Sequence, residues 1–183
     1  MDKLMKLRPY QEKLSTKGVE ILKQKKIVYY CCEVRIGKTL IALNTAKLVG
    51  AKKVLFITKK KAISSIQWDY DNFAFEFQIV IINDQSLHKI LDNDFDLIIS
   101  DEHHKYGAFP KPNKMAQLFK KRYSHLPMIF LSGTPTPESY SQWFHQFWVS
   151  DHSPFKQWTN FYKWATDFAV SYTHLTLPTK RIV

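Results

Sequence analysis

The sequence contains little cysteine, no long apolar run and few acidic residues in its first third. Its two cysteines, Cys31 and Cys32, are adjacent, a spacing that seldom closes a disulfide and matches no zinc motif. The longest apolar runs, such as 79–82, are far shorter than the roughly 20 residues that cross a bilayer, and no apolar region follows the charged N-terminus as in a secretory signal. These absences predict a reducing compartment, no membrane anchor and a cytoplasmic location.

Composition and charge indicate a globular domain with a basic surface. Of the 183 residues, 45% are hydrophobic and 15% aromatic, which excludes disordered and collagen-like classes. Residues 1–61 hold 14 lysines and 2 arginines against 4 acids, while residues 62–183 have a net charge of −1. A concentrated basic surface attracts phosphate backbones because their neutralisation releases counterions. Nucleic acid is therefore a candidate partner, and lysines on solvated helix faces are the alternative.

The order of hydrophobic patterns predicts the fold class. Short apolar, strand-like runs occur at 27–32, 53–58, 77–82, 95–100 and 128–131. Between them lie helical patterns: one from Pro9 to Lys26, interrupted by Gly18, and others at 39–49, 62–73 and 85–91. Strands that are apolar throughout and alternate with helices predict an α/β fold, a mostly parallel sheet covered by helices on both faces.

Residues 32–39 have the spacing of a phosphate-binding loop, G-x-x-x-x-G-K-[ST], with Cys32 in the first glycine position. A turn from a strand into a helix N-terminus directs backbone N–H groups and the helix dipole at an anion. Lys38 would contact the β- and γ-phosphates, Thr39 would ligate Mg²⁺, and Gly37 allows close approach. An ordinary strand-to-helix turn is the alternative. The residues expected to bind the nucleotide here are Arg35, Ile36, Gly37, Lys38, Thr39 and Leu40.

Two acids follow the predicted strand 95–100. Asp101 and Glu102 would lie at the carboxyl edge of the sheet, where ligands of parallel α/β folds bind. In a phosphate-loop ATPase the first acid holds Mg²⁺ and the second orients the attacking water. His103 and His104 come next, but no third ligand stands at a recognised metal spacing, so a metal-only site is the weaker interpretation.

Two further patterns leave alternatives open. Aromatic residues repeat at helical spacing over 140–148, beginning with Tyr140, and again over 155–168, which predicts two helices that pack together. Core packing is favoured over base stacking for these aromatic faces. Lys105, Lys111 and Lys114 flank a predicted loop at 107–113, where they could contact a phosphate backbone or belong to a solvated turn.

Taken together, the motifs resemble the RecA-like first motor lobe of superfamily 2 DEAD/DEAH-box helicases and translocases, especially phage-type, Snf2-related members. Residues 7–11 resemble the adenine-recognition segment of the family, and residues 32–39 resemble its motif I. Residues 56–61 resemble motif Ia. Residues 101–104 resemble the DEAH box, with His at its third position, and residues 131–135 resemble motif III. The resemblance implies adenine contacts from Arg8, Tyr10 and Gln11. It implies nucleic-acid contacts or coupling by a further set: Thr58, Lys59, Lys60, Lys61, Ser132, Gly133 and Thr134.

The resemblance implies an ATP hydrolase that uses ATP and Mg²⁺, with Lys38, Asp101 and Glu102 as catalytic residues. Double-stranded DNA is the expected partner, and host cytoplasm the location if a phage encodes the chain. Residues 1–169 would form the ATP-binding lobe, and a second lobe that supplies an arginine is expected but missing from the sequence. Rival interpretations are a non-catalytic nucleic-acid-binding module and a small phosphate-loop kinase.

Residues 170–183 resemble a translated sequencing adapter, which predicts a non-native tail and genuine coding sequence that ends near Ala169. A genuine short strand is the alternative, because Tyr172, His174 and Thr176 alternate with apolar or smaller residues.

Overall fold

Five parallel strands form the centre of the protein, which is described here by a computed structural model covering residues 5–33, 35–91 and 94–168. The strand order is β1-β5-β4-β2-β3, and every pairing is parallel. The predicted α/β class and its mostly parallel sheet are confirmed. The strands are β1 (Ile27–Cys31), β2 (Lys53–Thr58), β3 (Gln78–Asn83), β4 (Leu97–Ser100) and β5 (Met128–Ser132).

Helices cover both faces of the sheet, as the alternation of patterns predicted. One apolar core lies between the sheet and α1 (Pro9–Lys25), α2 (Lys38–Val49) and α3 (Ile63–Asn72). The second core lies between the opposite face and α4 (Lys114–Tyr123) and α5 (Gln142–Trp148). Three short 3-10 helices span Lys60–Ala62, Asp84–Lys89 and His103–Tyr106. Within the described ranges, none of the helices has both the length and the apolar character to cross a membrane.

The first helix runs unbroken through Gly18, where the sequence left open a division into two shorter helices. Gly18 is buried, and a Cβ atom built on it would lie 1.7 Å from the hydroxyl oxygen of Tyr30 in β1. That hydroxyl is 2.7 Å from Oγ1 of Thr45 in α2. Glycine at this position therefore lets α1 approach the strand that leads into the phosphate loop.

An aromatic cluster joins α5 to α6 (Phe161–Phe168), so the predicted contact between the two aromatic helices is confirmed. Phe144, Phe161 and Trp164 are its buried members. Tyr140 differs from the prediction: α5 begins only at Gln142, and Tyr140 is 80% exposed. The predicted tail, residues 170–183, lies outside the described residues.

Candidate functional site

The motif residues meet at the carboxyl edge of the sheet because parallel strands all end there. The phosphate loop follows β1, Thr58 ends β2, Asp101 follows β4, and Ser132 ends β5. In the strand order, β5 and β4 separate the phosphate loop from Thr58. The backbone N–H of Asp101 donates to the carbonyl of Ile57 at 2.9 Å, which ties the acid to the end of β2. Residues far apart in the sequence thus share one edge.

Lys38 lies where the phosphate-loop motif predicts. Its Nζ donates to the backbone carbonyls of Cys32 and Glu33, both at 3.0 Å, so the cation is folded back over its own loop. Among the described loop residues, Arg35 (φ 72°) and Gly37 (φ 76°) have a left-handed backbone conformation. Cys32, which stands in the first glycine position of the motif, does not. The first glycine of the motif is therefore not required by backbone conformation here. Burial raises the pKa of the Cys32 thiol, and the nearby Lys38 partly opposes that shift.

The N-terminal segment packs against the phosphate loop. The Tyr10 hydroxyl donates to the carbonyl of Ile36 at 3.0 Å, and Gln11 Nε2 donates to the same carbonyl at 3.2 Å. Gln11 Oε1 accepts from the backbone N–H of Arg8 at 2.9 Å. Both ends of the Gln11 amide are thus engaged, and only 4% of the residue is exposed. This differs from the expected adenine contact: in this structure Gln11 supports the loop, while Tyr10 and Arg8 remain exposed.

Gly37 lies in close contact with the Gln11 side chain. It is left-handed, and an added Cβ would lie 2.4 Å from Gln11 Nε2. Thr39 and Leu40 follow in the first turn of α2, where both are half-buried and Leu40 packs against the core beneath the loop. The loop, α1 and α2 therefore form one packed unit, which would hold the Lys38 side chain in place.

Asp101 is oriented by two hydrogen bonds. The Thr58 hydroxyl donates to Oδ2 at 2.8 Å, and the backbone N–H of Glu102 donates to Oδ1 at 2.9 Å. Thr58, one of the residues that the resemblance implied in nucleic-acid contact or coupling, is fully buried in this structure. Its hydroxyl supports the acid box. Glu102 adopts the left-handed conformation (φ 49°, ψ 46°), which is uncommon for a residue with a side chain and turns the chain sharply after β4.

A polar network connects Glu102 to the motif III turn. His104 Nδ1 lies 3.2 Å from Glu102 Oε2 and 2.9 Å from the Ser132 hydroxyl oxygen. The backbone N–H of Thr134 donates to that same oxygen at 3.1 Å. Ser132 is buried, Gly133 half-buried and Thr134 exposed. Burial lowers the pKa of His104, with Glu102 opposing that shift and Lys59 adding to it. The sequence predicted the two motifs, but not His104 as the residue that joins them.

His103 has a structural position that sequence reasoning missed. The ring is fully buried and stacks on Phe130 with a centroid separation of 3.6 Å. Its Nε2 lies 2.8 Å from the carbonyl of Gln146, which can only accept, so Nε2 carries the proton and Nδ1 accepts from the Ser100 hydroxyl at 2.9 Å. Burial lowers the pKa of His103 to about 3, so the ring is neutral near neutral pH. A metal ligand would need a free nitrogen, and both are engaged.

Gln146 brings three parts of the site together. The hydroxyl of Tyr29 in β1 donates to its Oε1 at 2.6 Å, and its Nε2 donates to the carbonyl of Pro135 after motif III, also at 2.6 Å. Its backbone carbonyl accepts from His103 of the acid box. No sequence motif marks Gln146. Its helical position among aromatics was the only available signal.

The lysines of the site differ in exposure. Lys59, Lys60 and Lys61 are exposed after β2, as a nucleic-acid contact requires. Lys105, for which the sequence left open a phosphate contact or a solvated turn, is mostly buried and forms an ion pair with Asp84 at 3.4 Å. In the described part of the chain, no group of three histidine, cysteine or acidic side chains is arranged to hold a metal ion.

Two solved structures show the same fold. One is a nuclease-deletion mutant of the Type ISP restriction-modification enzyme LlaGI in complex with a DNA substrate mimic, with 16% identity and a TM-score of 0.57. The other is the ATP-dependent Type ISP restriction-modification enzyme LlaBIII bound to DNA, with 18% identity and a TM-score of 0.52. Each similarity covers 72% of this chain, but only 18% and 13% of the respective enzymes. The chain thus shares its α/β fold with a part of each enzyme and spans under a fifth of either one.

No protein-family model and no curated protein sequence matches the chain. At these identities the two structures show the fold alone.

Proposed function

We propose that residues 1–169 form the N-terminal ATP-binding lobe of an ATP-dependent DNA helicase or translocase. The observation that carries the proposal is the position of Lys38, held over its loop by two carbonyls at the same sheet edge as Asp101 and Glu102. A cation at a helix N-terminus opposite two carboxylates suits a magnesium nucleotide. The similar structures add support, because one is described as ATP-dependent and both hold DNA or its mimic.

The residues fit the nucleotide by charge and by position. Bound ATP with Mg²⁺ would supply the phosphoryl group to be transferred and the charge that polarises it. Lys38 would exchange its two carbonyl contacts for phosphate oxygens. Thr39 and Asp101 would hold the metal, and Glu102 would orient the attacking water and accept its proton. Tyr10 and Arg8, which are exposed beside the loop, would line the pocket for the adenine base.

The nucleic-acid side of the lobe lies at the same edge. Lys59, Lys60 and Lys61 would bind the phosphate backbone of DNA, and the Ser132–Thr134 turn would connect that contact to Glu102 through His104. Movement along DNA further requires a second RecA-like lobe that completes the ATP site with an arginine. That second lobe is part of the proposal.

The assignment of Lys38 is tested by Lys38→Ala, with Lys47→Ala as the matched control. Lys47 is an exposed lysine in the last turn of the same helix, α2. Loss of a charge-assisted contact to phosphate should weaken the binding of a fluorescent ATP analogue by roughly 10- to 100-fold. DNA affinity and its salt dependence should stay unchanged, because the DNA contacts lie elsewhere. Equal ATP affinity in Lys38→Ala and Lys47→Ala would refute the site.

A second candidate function is a nucleic-acid-binding module without turnover. The basic excess of residues 1–61 is the observation that favours it. DNA affinity that does not change with ATP, together with no binding of the fluorescent ATP analogue by the wild-type chain, would support this candidate over the motor lobe.

A further inference from the structure

A lysine of the proposed DNA-binding segment contacts the proposed catalytic acid. Lys59 Nζ lies 3.8 Å from Glu102 Oε1. The Lys59 side chain is 63% exposed, and the Glu102 side chain is 35% exposed. Lys59 directly follows β2, whose last residue, Thr58, hydrogen-bonds Asp101. The ammonium group of Lys59 is therefore exposed to solvent and lies next to Glu102 of the acid box.

Glu102 is held from two sides. Lys59 approaches Oε1, while His104 Nδ1 lies 3.2 Å from Oε2. Each of the two carboxylate oxygens of Glu102 therefore lies near a different side chain. A change at either contact would alter the orientation of the carboxylate.

The contact with Lys59 is the weaker of the two. An ion pair at this separation with a largely exposed lysine contributes little to stability, because water screens it and the side chain loses freedom. A DNA backbone offers many phosphate charges along one path, so it competes well for an exposed lysine. Binding of DNA at this segment would therefore remove Lys59 from Glu102 at little cost.

We infer that Lys59 is a positioning residue that couples DNA binding to Glu102. Without DNA it holds one oxygen of the Glu102 carboxylate; with DNA it binds a phosphate and leaves that oxygen to the attacking water. The inference rests on the proposed function and adds to it a reason why DNA would stimulate hydrolysis. No such role follows from the charge of the lysine segment alone, because Lys60 and Lys61 carry the same charge.

His104 provides a readout that does not require turnover. Glu102 and Asp101 raise its pKa, while burial, Lys59 and Lys105 lower it. Removal of Lys59 from the site, by mutation or by DNA, should therefore raise the pKa of His104. The phosphates of DNA would raise this pKa by their own charge as well, so the Lys59 contribution is the part of the rise that is lost when Lys59 is replaced.

The test is a pH titration of the His104 ring by nitrogen-15 NMR on the 183-residue chain, with and without a DNA duplex of about 20 base pairs. His104→Gln assigns the signal, and Lys47→Gln is the control, because Lys47 is exposed in α2, outside the proposed DNA-binding segment. In the wild type and in Lys47→Gln, DNA should raise the pKa of His104. In Lys59→Gln, the pKa should already be raised without DNA and should rise less on DNA binding than it does in the wild type.

Three results would overturn the inference. They are an unchanged free-state pKa in Lys59→Gln, a DNA-dependent rise in that variant as large as in the wild type, and an absence of duplex binding by the wild type. The first two leave the proposed ATP site intact, since Lys38→Ala tests that site separately. A chain that binds no ATP but shows the expected His104 behaviour would refute the ATPase proposal and retain the contact between Lys59 and DNA.

Discussion

The two adjacent histidines of the acid box should differ sharply in their effect on stability. His103 is fully buried, stacked on Phe130 and hydrogen-bonded through both ring nitrogens to Ser100 and Gln146. His104 is half-buried and contacts Ser132 and Glu102. We therefore compare His103→Ala with His104→Ala, two identical changes one residue apart.

The expected magnitude follows from what each ring contacts. His103→Ala removes a buried ring and leaves a cavity, for which large-to-small core changes cost roughly 2–5 kcal/mol. The Ser100 hydroxyl and the Gln146 carbonyl each lose a partner inside the protein, which adds about 1 kcal/mol or more. We expect a total loss of about 3–5 kcal/mol in the free energy of unfolding. His104→Ala should cost about 1 kcal/mol, because water can replace its contacts.

Urea unfolding followed by far-UV circular dichroism near neutral pH measures both losses. For a chain of this length, 1 kcal/mol corresponds to a change of about 2–4 °C in Tm, so thermal unfolding provides a second measure. Equal losses for the two variants, or a loss below about 1 kcal/mol for His103→Ala, would refute the structural role of His103.

Two more predictions concern stability. Burial lowers the pKa of folded His103 to about 3, whereas an unfolded histidine titrates near about 6.5, so the unfolded chain binds a proton that the folded protein excludes. The free energy of unfolding should therefore fall as the pH drops from about 6.5 towards about 3. Protonation of this one histidine contributes a fall of up to about 1.4 kcal/mol per pH unit. Equal urea midpoints at about pH 7 and about pH 5 would contradict this prediction. Gly18→Ala should destabilise the chain by roughly 1–3 kcal/mol, because the added Cβ would lie 1.7 Å from the Tyr30 hydroxyl oxygen. This loss should outweigh the gain of about 1 kcal/mol that alanine brings over glycine inside a helix. Tyr30→Phe in the same chain should recover part of that loss, and a Gly18→Ala chain with a higher Tm than the wild type would show that the close approach is absent.

Local patterns were sufficient to predict the strands and the edge at which the site lies. Strands that are buried on both faces are nearly continuously apolar, so runs such as residues 54–57 of β2 stand out without knowledge of their neighbours. The parallel order then brings the phosphate loop, the acid pair and the motif III turn to one edge. Tyr140 shows the limit, because helical periodicity does not indicate where a helix begins, and the chain enters α5 only at Gln142.

The contacts within that edge could not be predicted from the sequence. Thr58 and Asp101 are 43 residues apart, and so are His103 and Gln146, yet each pair is joined by a hydrogen bond. A periodic pattern reports whether a residue is buried, but it does not identify the partner that satisfies its polar atoms.

By itself, the sequence determined the α/β class, the positions of the strands, the location of Lys38 at the start of the helix after β1, and the location of Asp101 and Glu102 directly after β4. These properties depend on burial and on chain order, both of which are written in local residue types. Only the tertiary structure decided that Gln11 supports the phosphate loop and that Lys59 and His104 hold Glu102 from opposite sides. Those contacts depend on strand order and on side-chain direction, which arise only when the whole sheet packs.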